Sequence, residues 1–256
     1  MKQILILVCT ILIGLSAFGQ TTPLTAKQKE ELYPTKKVVS RYHNNWTQTH
    51  YPKRIKQFMG KPLEYGDIVF IGNSITEKGK DWSEKFGVAH IRNRGISGDV
   101  TDGVLKRLDE VTYFKPKAVF ILIGINDLFS LHHDVDNRHQ LTYDKVVPSA
   151  KYVAHNILRI AKVIHRKSPG TRIYVQTILP TRRDYLKEDI LTVNKLIKKH
   201  ESKGCYDVID LFGQFVDANG DMQKELTVDG VHLNEKGYEK WVGFEKPLIQ
   251  NIAKQD

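Results

Sequence analysis

The chain has 256 residues, of which 41% are apolar and 27% charged. That balance suits one globular α/β domain whose core is large enough to need no covalent staples. The net charge is +10, but the basic residues are scattered, with small clusters only at Lys36-Lys37, Arg182-Arg183 and Lys198-Lys199. With no aromatic-interleaved basic stripe, a nucleic-acid partner is not expected, and the charge reads as a solvated surface able to attract an anionic polymer.

In chain order, the first expected element is an export signal. Lys2 precedes an apolar run from Ile4 to Phe18, and Ala17-Phe18-Gly19 places small residues where a signal peptidase reads. Residues 1–19 are therefore expected to be a signal peptide cleaved before Gln20, delivering the protein to a periplasmic or extracellular space. The alternative is a membrane anchor, for which the run is short of the ~20 apolar residues a span needs. Removing the signal leaves Cys205 as the one cysteine, so no internal disulfide is expected. Cys205 reads as a buried small hydrophobe.

Residues 20–60 are expected to form a lead-in and a helix packing on the main domain. Residues 21–34 are polar and read as a loose lead-in. Residues 36–59 read as a helix with apolar positions at Val39, Trp46, Ile55 and Phe58, and Trp46 and Tyr51 are expected to pack on the main body. Asn45-Trp46-Thr47 matches a glycosylation sequon.

The main domain is expected over residues 61–256. Short apolar runs at 67–71, 88–92, 118–123, 172–176 and 206–209 read as strands. Helical stretches at about 101–110, 149–167, 186–203 and 235–252 lie between and after them. Near-continuous apolar strands separated by amphipathic helices imply a parallel sheet covered on both faces. The expected fold is a three-layer α/β/α sandwich with a five-stranded parallel sheet, of the flavodoxin-like kind. Ligands in such folds sit at the carboxyl ends of the strands, so chemistry is sought just after each strand.

Four segments stand there. Gly72-Asn73-Ser74-Ile75-Thr76 follows the first strand, Asn93-Arg94-Gly95-Ile96-Ser97-Gly98-Asp99 the second, and Gly124-Ile125-Asn126-Asp127 the third. Asp229-Gly230-Val231-His232 precedes the last helix. Each is weak alone: a serine after a strand is commonly a helix cap, and an asparagine there a turn former. The Asp-x-x-His spacing also occurs twice, the second copy being Asp136-Asn137-Arg138-His139. That copy lies in a polar loop with His132, His133 and Asp134, which could be offered as a metal site but reads as a solvated loop, because no ligand spacing there is diagnostic.

Taken together, the four segments resemble the SGNH hydrolases, also called the GDSL lipase/acylhydrolase family. The resemblance runs from about residue 55 to 250 and is greatest to the platelet-activating-factor acetylhydrolase-like branch and related bacterial carbohydrate acetylesterases. It implies a serine esterase with Ser74 as nucleophile, His232 as its base and Asp229 holding the far nitrogen of His232. It also implies an oxyanion hole made by the backbone N–H groups of Ser74 and Gly98 and the side-chain amide of Asn126. No cofactor or metal is implied. One departure is Asn73, where the family usually has Asp, so its local hydrogen bonds are expected to differ. The expected substrate is a short-chain ester, an O-acetyl group on carbohydrate. Alternatives are a lysophospholipase or thioesterase of the same fold and, in another class, a non-catalytic carbohydrate-binding domain.

Overall fold

A computed structural model describes residues 24–34, 40–135 and 142–255. The expected signal peptide and the Asp136/His139 pair lie outside the described residues. Helices α1 (Ala26–Leu32) and α2 (Asn45–Gly60) precede strand β1 (Ile68–Gly72). Then come α3 (Ser74–Glu77), α4 (Trp82–Phe86), β2 (Ile91–Gly95), α5 (Thr101–Leu105), α6 (Asp109–Phe114), β3 (Ala118–Leu122) and α7 (Ile125–Leu131). The chain continues through α8 (Ala150–Lys167), β4 (Arg172–Gln176), α9 (Lys187–His200), β5 (Asp207–Ile209), α10 (Leu211–Phe215) and α11 (Glu235–Lys254).

All strand pairs are parallel and the order is β2-β1-β3-β4-β5. The three-layer α/β fold is as expected. Strand composition follows position. Central β1 and β3 are buried along their whole length, whereas edge strand β2 carries Arg92, Asn93 and Arg94 and edge strand β5 is three residues long. Phe70, Phe120 and Tyr174 stand in register across β1, β3 and β4, with successive ring centroids 4.8 Å apart. Trp82 of α4 stacks on Phe70, and Trp241 of α11 meets Trp82 edge-on at 4.9 Å. This aromatic layer anchors the helices on that face.

Several element boundaries differ from the sequence reading. The second strand runs 91–95, not 88–92, because His90 adopts a left-handed φ of 63° and turns the chain just before it. The stretch 101–110 is two short helices broken at Lys106–Leu108. The helix expected over 36–59 begins at Asn45, capped by the Asn44 side chain, which accepts from Thr47 N–H at 2.9 Å. The lead-in is not wholly loose: α1 starts with a Thr25/Gln28 capping box, and the Tyr33 hydroxyl donates to buried Glu110 at 2.6 Å. Cys205 is half-buried rather than buried.

The order reverses between β1 and β3: the chain leaves β1 toward β2, then returns past it to β3. The carboxyl ends of β1 and β3 therefore open a crevice at the switch point. Gly95 lets α3 cross closely there, since a Cβ on it would stand 2.3 Å from the Glu77 nitrogen.

Candidate active site

Ser74 is the first residue of the four-residue helix α3, directly beyond β1. Asn73 caps that helix, its Oδ1 accepting from Ile75 N–H at 3.0 Å. An amide oxygen does this as well as a carboxylate would, so the departure at Asn73 leaves the turn intact.

His232 reaches Ser74 from a tight turn before α11. Asp229 Oδ1 accepts the backbone N–H groups of Val231 (3.0 Å) and His232 (2.8 Å), and the Thr227 hydroxyl donates to the His232 carbonyl at 2.6 Å. Gly230 supplies the positive φ of 84° that closes the turn. With the backbone so folded, Asp229 Oδ2 lies 2.7 Å from His232 Nδ1, and His232 Nε2 lies 2.9 Å from Ser74 Oγ. Burial alone would raise the Asp229 pKa, but the bonds from the His232 ring and the two backbone N–H groups outweigh it and bring it down to about 2. The carboxylate is therefore charged beside the imidazole at any ordinary pH. The Tyr238 hydroxyl of α11 donates to the Ile75 carbonyl at 2.7 Å, tying the helix after the histidine turn to the helix of the serine.

The remaining expected residues border the same cleft, of about 920 Å³, whose walls include Ser74, Gly98, Asn126, Asp229 and His232. Among the described residues, the backbone N–H groups of Ser74 and Gly98 have no acceptor. Asn126, the second residue of α7, spends one amide hydrogen on the Asp99 carbonyl at 2.9 Å. Its amide can still donate one more bond. Asp127 points the other way: it is buried, accepts from the Thr101 N–H and hydroxyl, and burial raises its pKa to about 7.

His132 and His133 do not share a site. His132 Nε2 lies 2.6 Å from Asp189 of α9, while His133 faces the cleft. Among the described residues, the one grouping of three metal-type donors is Glu64, Asp67 and His90, at the opposite end of β1.

The arrangement can deprotonate a hydroxyl and hold a developing anion, the two requirements of acyl transfer. The GDSL-like lipase/acylhydrolase model matches residues 70–240, more than half of the chain. This chain belongs to that family. Platelet-activating factor acetylhydrolase IB subunit alpha2 of Rattus norvegicus is 30% identical over 194 residues, 73% of this chain and 76% of its own. Subunit alpha1 of Homo sapiens is 28% identical over 198 residues, 74% and 78% of the two chains. A GDSL-like lipase structure from Bacteroides thetaiotaomicron, 20% identical, covers 78% of this chain and 97% of its own with a TM-score of 0.63, which is a likeness of fold. The protein is an ester-hydrolysing enzyme of the acylhydrolase family.

Sequence reasoning missed one wall of this acylhydrolase cleft. Tyr42, Asn44, Trp46, Thr47 and His50 line it from α2 and the turn before it. Trp46 is not packed into the body as expected; it is 54% exposed and stacks on His50 at 4.8 Å. The Thr47 methyl would stand 2.1 Å from a Cβ on Gly98, so α2 presses directly on the glycine. The helical spacing of 45–60 was a usable signal for the helix, but nothing in it said which face would meet the cleft. Tyr51, in contrast, is buried as expected, its hydroxyl donating to the Gly103 carbonyl at 2.9 Å.

Proposed function

We propose that the protein is an exported serine acetylesterase in which Ser74 attacks the ester carbonyl. His232 takes the Ser74 proton and returns it to the leaving alcohol, then takes a proton from the water that attacks the acetyl-Ser74 ester and returns it to Ser74 as acetate leaves. Asp229 orients and stabilises the imidazolium, and the N–H groups of Ser74 and Gly98 with the Asn126 amide bind the oxyanion. The observation that carries this reading is the unbroken hydrogen-bonded series Asp229–His232–Ser74, 2.7 Å and 2.9 Å, lining the cleft. The acetyl group is favoured because the curated relatives are acetylhydrolases. A carbohydrate leaving group is favoured by the exposed indole of Trp46 beside Gly98, since flat aromatic faces pack against sugar rings, and by the export signal expected at residues 1–19.

The test is turnover of p-nitrophenyl acetate, butyrate and octanoate, together with acetate released from O-acetylated oligosaccharides. The acetyl ester should be the best of the series, and the oligosaccharides should release acetate. A preference for octanoate would replace this reading with the lysophospholipase or thioesterase alternative. Absence of all turnover would favour the carbohydrate-binding one.

A further inference from the structure

The turn that carries Gly98 is held by its backbone N–H groups. Ile96 N–H donates to the Gly72 carbonyl at 3.0 Å, and Asp99 N–H to the Ile96 carbonyl at 3.0 Å. Ser97 N–H donates to the Glu77 carboxylate at 2.5 Å. From Ile96 to Asp99, only the Gly98 N–H has no acceptor among the described residues. Two of these three bonds are backbone to backbone, and the third depends on one side chain.

Glu77 is the last residue of α3, three positions after Ser74. It is not a surface carboxylate. His50 Nε2 lies 3.1 Å and 3.2 Å from its two oxygens, and Arg54 Nε 3.4 Å from one of them. His50 and Arg54 both belong to α2, which precedes the 70–240 family match. A charged acceptor makes a short, strong bond to a peptide N–H, and the two side chains from α2 restrict where that acceptor can sit.

We infer that Glu77 is a positioning residue for the oxyanion site. Its carboxylate clamps the Ser97 peptide so that the next N–H, that of Gly98, points into the cleft at a fixed distance from Ser74. Helix α2, through His50 and Arg54, holds the clamp. The same helix side that carries the exposed Trp46 thus braces the turn that stabilises the reaction's charge. This inference rests on the serine-esterase reading above.

The test compares Glu77→Ala, Glu77→Gln and Ser74→Ala with the parent on p-nitrophenyl acetate, with folding checked by circular dichroism and thermal melting. Loss of one oxyanion donor's placement should lower kcat by ~10–10²-fold in Glu77→Ala, with KM within about threefold, because the charge exists only in the transition state. A boronic-acid inhibitor, which forms a tetrahedral adduct on a nucleophilic serine, should weaken in parallel with kcat. Glu77→Gln keeps an amide oxygen for Ser97 N–H and should recover most of the lost rate. It also covers the case in which Glu77→Ala does not fold. Folded Glu77→Ala with parental kcat would overturn the inference, as would a Glu77→Gln no better than Glu77→Ala in both kcat and inhibitor affinity. An active Ser74→Ala would take down the serine reading and this inference with it. An inactive Ser74→Ala beside a fully active Glu77→Ala would remove this inference alone.

Discussion

Both ends of β1 carry a carboxylate beside a histidine, and only one of the two groups lines the cleft. At the amino end, Asp67 is nearly fully buried and takes Arg92 Nε at 2.8 Å; His90 Nδ1 stands off at 3.6 Å, beyond a hydrogen bond, with 65% of its side chain exposed. Glu64 completes the cluster by meeting Arg92 at 3.3 Å. Arg92 there is shared between the two carboxylates, and the imidazole faces solvent. At the carboxyl end, both ring nitrogens of His232 are engaged, one by a carboxylate and one by a hydroxyl, and the cleft lies beside them. Residue types alone do not distinguish these clusters. What separates them is whether the imidazole has a proton donor on one side, an orienting anion on the other, and room for a substrate.

The largest expected effect breaks the comparison outright. Ser74→Ala and His232→Ala should each lower kcat by roughly 10⁴-fold or more with the melting temperature little changed. His90→Ala should leave kcat within about twofold. Steady-state kinetics on the three variants decide it; a dead His90→Ala beside an active His232→Ala would place the chemistry at the amino end of β1.

Asn126 sharpens the comparison, because it has both a structural and a chemical task. Asn126→Ala should lower kcat by ~10²–10³-fold with little change in KM, about 3–4 kcal/mol of transition-state stabilisation. It should also lower thermal stability modestly, since the amide holds the Asp99 carbonyl. Measuring rate and melting temperature on one preparation separates the two tasks. Full specific activity in a destabilised variant would leave Asn126 as a turn clamp only.

Trp46 should show the reverse signature. Trp46→Ala removes cleft wall and no charge stabilisation, so KM for acetylated oligosaccharides should rise several-fold while kcat holds, a loss of uniform binding. Ethyl acetate, which has no ring to stack, should be hydrolysed as by the parent. Equal losses on both substrates would make the indole a structural support for Gly98 instead.

The smallest expected effect on rate concerns a buried carboxylate, where the change is one of stability. Burial raises both Asp67 and Glu245; Arg92 Nε opposes the rise at Asp67, whereas at Glu245, raised to about 7, the opposing bond comes from the Gln176 amide at 2.7 Å. With the folded value above the unfolded one, the stability contribution is complete below about pH 4.5 and is lost as pH rises through about 7. Glu245→Gln should therefore match the parent near pH 4 and exceed it above pH 8, by at most about 3 kcal/mol. Denaturant melts at the two pH values check this, and a pH-independent difference would contradict it.

Much of this was legible in the chain. Local apolar runs such as 118–122 announce buried parallel strands, because both faces of such a strand must be covered. The strand-end positions of Ser74, Gly98 and Asn126 follow from that alternation, and Asp229 and His232 lie close enough in sequence for one tight turn to join them. Boundaries were less legible where a single backbone angle decided them, as at His90, or where a side-chain cap did, as at Asn44.

Sequence by itself determined the layer architecture and the order of the candidate residues, since both rest on interactions within a few positions along the chain. Tertiary structure alone decided that His232 lies against Ser74 across 158 positions, and that α2 supplies a wall of the cleft. It also decided that Glu77 joins the serine helix to the glycine turn. Hydrogen-bond periodicity and apolar patterning specify which face of an element is buried. They carry no information on which distant polar group will meet it, because that depends on how the assembled layers bring the loops together.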